Sequence, residues 1–187
     1  MSTSFVGFDA LTASTDDPVA MLAACHTRVR KQCTTLRALL PHLKTKGADD
    51  EAAGAAHRVM RYFDEAAQHH HADEQEDLFP RLLKAASTDH QSTDQQAQVQ
   101  ALCNQLCAEH ANMAQLWLTL RGYLIKVRSH QLPERQAMAL LVAEFTQAYE
   151  AHTAFEDERL LPLAEKLLSK EALTSMSQQM KARRQQT

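Results

Sequence analysis

The feature that most constrains this chain is a repeat. His70-His71-Ala72-Asp73-Glu74, running on through Leu78, Phe79 and Pro80, returns as His152-Thr153-Ala154-Phe155-Glu156 with Leu160, Leu161 and Pro162, 82 residues later at every matched position. On an α-helix, a His and a Glu four residues apart stand one turn apart on the same face, so both side chains can aim at one atom. A lone pair of this kind is commonplace on a solvated face. Two pairs in matching contexts point to two half-sites of one metal centre.

The repeat extends to whole helices. Asp16-Asp17-Pro18 is a start signal with Asp as N-cap and Pro at the first helical position. From there Val19, Leu22, His26, Val29, Cys33, Leu36 and Leu40 keep helical spacing to about Lys44, where Lys46-Gly47 supplies a stop. A second helix is expected from Asp49-Asp50 through Val59, Phe63, His70 and Glu74 to about Lys84, with Pro80 bending it or opening its hydrogen-bond ladder. The third, from about Asp94 to Arg128, repeats the first: a shift of 84 lays Leu22 on Leu106, His26 on His110, Leu36-Arg37 on Leu120-Arg121 and Leu40 on Leu124. The fourth, from Pro133, repeats the second, matching Phe63 to Phe145 and Pro80 to Pro162.

The chain therefore reads as two helical hairpins in succession. With only 4 glycines and 5 prolines among 187 residues, the class is all-α. Long helices on short loops are most economically an up-down-up-down four-helix bundle over residues 18–168. An N-terminal arm over 1–17, a polar midpoint loop over 86–93 and a short tail over 169–187, with a brief helix and a fraying end, complete the expected organisation.

Charge narrows the function classes. A net charge of −3 with mixed signs gives no basic stripe for nucleic acid. The apolar runs are short and interrupted, and Met1-Ser2-Thr3-Ser4-Phe5 has neither a basic region nor an apolar core of a signal peptide, so a soluble cytoplasmic protein without a membrane partner is expected. Cys25, Cys33, Cys103 and Cys107 are expected to be reduced core residues, since Cys103-x-x-x-Cys107 lacks zinc-knuckle or redox-motif spacing.

The histidines fall at intervals of 44, 40 and 42 residues (His26, His70, His110, His152), which in an antiparallel bundle leaves them at similar heights. The candidate metal set is His26, His70, Glu74, His110, His152 and Glu156. Two carboxylates facing an apolar core are strongly penalised unless paired or metal-bound. Six ligands exceed the four of a closed structural zinc site, and imidazole with carboxylate and no thiolate fits iron, with manganese or zinc as substitutes. The expected centre is a non-haem di-iron site. Each iron would take two histidine nitrogens, Glu74 and Glu156 would bridge, and open positions would remain for a bridging oxygen species and a small diatomic or peroxide ligand.

The order His, His-x-x-x-Glu, His, His-x-x-x-Glu, with Leu-Phe-Pro or Leu-Leu-Pro after each Glu, resembles the hemerythrin-like (HHE cation-binding) domain over about residues 18–168. The resemblance implies a four-helix bundle with a di-iron site that binds oxygen, nitric oxide or related small oxidants. Oxygen-carrying members have a fifth histidine four residues from the one on the third helix, where this sequence has Leu106 and Ala114, and a longer second box ending in Asp. The pattern is closer to four-His, two-Glu members resembling di-iron repair proteins, without the cysteine-bearing N-terminal region some of those carry.

Three functions follow. The leading one is a di-iron protein that binds or senses oxygen, nitric oxide or peroxide. The alternatives are a di-iron enzyme or repair factor, which reduces nitric oxide or peroxide or donates iron to damaged iron-sulfur clusters, and a metal-stabilised interaction module. Other residues are set aside. His69 and His71 flank His70 at about 100° and are expected in solvent, with a role behind the ligands or as an alternative ligand as the other reading. His42, His57, His90 and His130 fall off the stripes or in loops, and Tyr149 is expected to pack in the core. Thiolate ligation by Cys25 or Cys107 is not expected. Asp77 and Arg159, one turn beyond the boxes, either pair across the bundle or lie at the surface.

Overall fold

The computed structural model describes residues 17–87 and 92–185. Residues 1–16 of the expected arm, residues 88–91 of the midpoint loop with His90 among them, and residues 186–187 lie outside them.

The start and stop signals act as read. Asp17 caps α1 (Pro18–Thr45) by accepting from the amides of Val19 and Ala20, and Gly47 takes a positive φ of 78° that lets the chain turn. Asp49 caps the second rod through the Ala52 amide. This rod is continuous: α2 (Asp50–Arg61), a π-helical stretch (Tyr62–Ala66), α3 (Ala67–Ala72), a second π stretch (Asp73–Leu78) and α4 (Phe79–Ala86). Ser92 caps α5 (Thr93–Arg128). The fourth rod starts two residues later than Pro133, because Glu134 uses its carboxylate to cap the amides of Gln136 and Ala137. It comprises α6 (Arg135–Phe155), a π stretch (Glu156–Leu160) and α7 (Leu161–Leu167), and α8 (Lys170–Gln185) follows.

The structure is all-helical. Each rod packs on the next and the first packs on the fourth, which closes a ring of four around a common interior. Two apolar layers fill it. One is built around Val29, Leu36, Phe63, Trp117, Phe145 and Tyr149, the other around Leu22, Leu78, Leu82, Leu106 and Leu160. The site histidines fall between these layers in sequence on every rod, so they form a polar stratum between two apolar ones.

The prolines are accommodated by opening the ladder. In the π stretches the Phe79 amide bonds the Glu74 carbonyl and the Leu161 amide bonds the Glu156 carbonyl, each five residues back. That extra residue brings Pro80 and Pro162 into the first turn of α4 and α7, where a missing N–H costs nothing. Arg81 Nη1 donates to the Asp77 carbonyl at 2.7 Å. Nothing in the sequence explains the proline-free π stretch at Tyr62–Ala66.

The tail differs from expectation. Rather than fraying, α8 runs to Gln185 and docks against α1 and the second rod, burying Met176 and Met180 in the second apolar layer. Arg183 and Arg184 both bind the fully buried carboxylate of Asp73, and Arg183 also reaches Asp77 Oδ2 (2.8 Å) and Glu76 Oε2 (2.8 Å). Composition shows the polar residues of this segment but not the two buried acids they meet.

Candidate metal centre

Each rod contributes from its inward face: His26 from α1, His70 and Glu74 from the second rod, His110 from α5, and His152 and Glu156 from the fourth. All six are buried. The Glu156 amide still bonds the His152 carbonyl, an ordinary helical turn that keeps the His and Glu of the box on one face, and the widened turn begins beyond it.

The carboxylates span the histidines in pairs. Glu74 presents Oε1 to His70 Nε2 (3.5 Å) and Oε2 to His110 Nε2 (3.3 Å). Glu156 presents Oε2 to His26 Nε2 (3.1 Å) and Oε1 to His152 Nε2 (3.1 Å). His110 Nε2 and His152 Nε2 are 3.0 Å apart. Two donor sets result, His26-His70-Glu74-Glu156 and Glu74-His110-His152-Glu156, each with donor atoms within 4.8 Å of one another and both sharing the same two carboxylates.

These groups do not satisfy one another. His26 Nε2, both nitrogens of His70, His110 Nδ1 and all four oxygens of Glu74 and Glu156 are buried and lack any aligned hydrogen bond, although several of them sit close to one another. Native interiors rarely tolerate this without a partner atom. Burial pushes His70 down to about 3 and His110 down to about 4, leaving neutral rings with free lone pairs. Burial together with neighbouring Glu156 drives Glu74 well above the carboxylate range. For Glu156, burial is outweighed by contacts from His152 and His26, which hold it well below. Without a cation, two carboxylates this close cannot both ionise. The donor chemistry and the unsatisfied atoms therefore fit a pair of metal ions.

The hemerythrin HHE cation-binding domain family matches residues 17–164, which includes every one of these side chains. The chain belongs to the hemerythrin HHE cation-binding family. An uncharacterized protein of Haemophilus influenzae is 32% identical over 173 residues, covering 92% of this chain and 93% of its own length.

In this hemerythrin-family bundle two further acids stand behind the histidines. Asp157 Oδ1 lies 2.6 Å from His26 Nδ1 and is itself gripped by Arg30, and Glu109 Oε2 lies 2.7 Å from His152 Nδ1. A carboxylate on the outer nitrogen orients a histidine and raises its basicity. Burial opposes the charge of His152, yet Glu156 and Glu109 outweigh it and raise its pKa. Sequence reading missed both acids. The signal was present, because each stands one residue from a site residue, but adjacency on a helix turns a side chain by about 100° and only packing shows where it lands. Glu109 and His152 also line a cavity of about 370 Å³ between α5 and α6, with Gln105, Asn112, Met113 and Phe155.

His71 corrects an expectation. It is 8% exposed, not in solvent, and its ring stacks on that of His110 at 4.0 Å and 14°. The second rod faces both α1 and α5, so residues 100° apart can both point inward. Tyr149 packs in the core as expected, against Phe63 and Phe145, with His71 at 6.0 Å. Asp77 and Arg159 do not pair: Asp77 meets Arg81 and Arg183, and Arg159 is exposed. His42 bonds Asp49 and His130 contacts the Ala48 carbonyl, both outside the stratum. All four cysteines are free, three of them buried, and none joins the candidate metal groups among the described residues. No helix among those residues is long and apolar enough to cross a membrane.

Proposed function

We propose that this hemerythrin-family protein is a non-haem di-iron protein that binds or senses a small oxidant, such as oxygen, nitric oxide or peroxide, in the cytoplasm. The observation that carries the reading is that each of Glu74 and Glu156 directs one oxygen to the His26/His70 pair and the other to the His110/His152 pair. Two iron ions so held would supply one-electron chemistry and vacant coordination for a small ligand. The protein's part is to orient four imidazoles, to neutralise cationic charge with two carboxylates, and to exclude bulk water with apolar layers above and below. The cavity reaching His152 between α5 and α6 supports access by a small molecule.

Anaerobic reconstitution with ferrous iron, metal counting, and optical spectra on adding oxygen, nitric oxide or peroxide test the reading. The expected result is two irons per chain and a new absorption with at least one oxidant. One iron per chain, or two irons and spectra indifferent to all three, overturns it. In the latter case a large rise in thermal stability with metal would leave a metal-stabilised interaction module in its place.

A further inference from the structure

The duplication that generates the site is broken at one buried position. Moving 82 residues along the repeat carries His70 to His152, Glu74 to Glu156, and His71 to Thr153. Thr153 is fully buried, and its hydroxyl turns back toward the Glu150 carbonyl on its own helix (3.5 Å). His71 is also buried, but it offers the interior a ring nitrogen. Its Nε2 is buried without a hydrogen-bond partner, and His71, His110 and His152 each have a donor atom within 4.8 Å of the other two. The His26/His70 pair has no corresponding third imidazole among the candidate groups of the described residues.

We infer that His71 is a fifth imidazole ligand, which makes the two ions of the proposed di-iron centre unequal. One would be held by His71, His110 and His152, the other by His26 and His70, with Glu74 and Glu156 common to both. The inference rests on the dinuclear reading above. In the present packing the rings of His71 and His110 are stacked, with their planes 14° apart. The donor atoms of the three rings lie within 4.8 Å of one another, near enough to be drawn onto one ion, whose ligands sit about 2.0–2.2 Å from the metal.

A bland alternative exists in which His71 is only an aromatic plate between His110 and Tyr149. Anaerobic titration of metal-free protein with ⁵⁷Fe(II), read by bound-metal stoichiometry and Mössbauer spectra, separates the two. The variants are His71→Ala, His71→Phe and Thr153→Ala. Phe keeps a flat ring against His110 but has no donor nitrogen, and Thr153→Ala alters the matched position of the other half.

The wild type is expected to take two irons in two resolvable steps and to give two unequal quadrupole doublets of equal area. Loss of a ligand should cost more than the ~10–100-fold that loss of a ligand's outer partner costs. His71→Ala and His71→Phe should therefore weaken one step by more than about 100-fold and leave the other within roughly threefold, while Thr153→Ala keeps both. Circular dichroism melts of the metal-free variants verify folding. Wild-type binding steps in His71→Phe overturn the assignment and leave the dinuclear reading intact. A wild type that takes fewer than two irons overturns both.

Discussion

The second half of the chain supplies both carboxylates that stand behind site histidines, and the first half supplies neither. His26 and His152 have their outer nitrogens held by Asp157 and Glu109. The outer nitrogens of their counterparts His110 and His70 have no partner. The repeat explains why: the position matched to Asp157 is the exposed Gln75, and the position matched to Glu109 is the buried Cys25. Support for the first half comes from outside instead, where Arg183 and Arg184 of α8 clamp Asp73, whose counterpart is Phe155. One motif, used twice, thus has two electrostatic environments. Duplication preserves the donors, whereas their tuning depends on neighbours free to diverge.

The largest way to break this comparison is to remove each carboxylate from metal-free protein. Glu156→Gln removes the buried carboxylate that faces both His26 and the raised His152, leaving His152 only Glu109, and should cost about 3 kcal/mol, or on the order of 10 °C in Tm. Glu74→Gln replaces a carboxyl that burial already keeps protonated, and should shift Tm by no more than roughly 2–4 °C. Equal losses in differential scanning calorimetry would contradict the asymmetry.

Acid tests the unsupported rings. His70 and His110 have folded-state pKa values near about 3 and 4, below the ordinary 6.5. In that window the unfolded chain binds more protons, so their contribution is complete above pH 6.5 and is lost as pH falls toward 4 and 3. For His110 alone this is on the order of 3 kcal/mol. The raised His152 acts in the opposite sense, contributing below pH 6.5 and losing that contribution as pH rises through its folded value. A metal-free Tm that falls between pH 6.5 and 4 is expected, and a flat profile over that range would refute the dominance of the bare pair.

Smaller effects sharpen the contrast. Asp157→Asn and Glu109→Gln should weaken iron binding by about 10–100-fold, as loss of an outer-shell carboxylate does. Gln75→Ala, at the counterpart of Asp157, should leave affinity unchanged in the same chelator competition. The smallest change is expected of Arg159→Ala, within about 0.5 kcal/mol by urea titration, because the exposed Arg159 does not meet its sequence-matched candidate Asp77.

Much of this was legible in the residues. Helical periodicity with capping residues located the rods to within two residues, since both arise from local backbone chemistry. The 82-residue register picked out His70 and His152, and through the 84-residue register of the other pair it brought in the isolated His26 and His110. Legibility ended where a side chain's role depends on what another rod presents to it. His71 reads as a flanker because one helix viewed alone has one apolar stripe, yet a helix in a ring of four has two buried neighbours. Asp157 and Glu109 go unnoticed because their partners lie on other rods, and the tail reads as frayed because the acids it clamps lie more than a hundred residues earlier.

The sequence by itself determined the all-helical class, the duplicated hairpins and the six residues of the candidate donor set, because periodicity and repeat register act along the chain. The tertiary structure alone decided that each carboxylate faces both histidine pairs, that His71 lies buried beside His110 and His152 while its matched position is Thr153, and that α8 clamps Asp73 of the first box. These depend on distances between rods, and burial sets their energies. No pattern within a single helix encodes them.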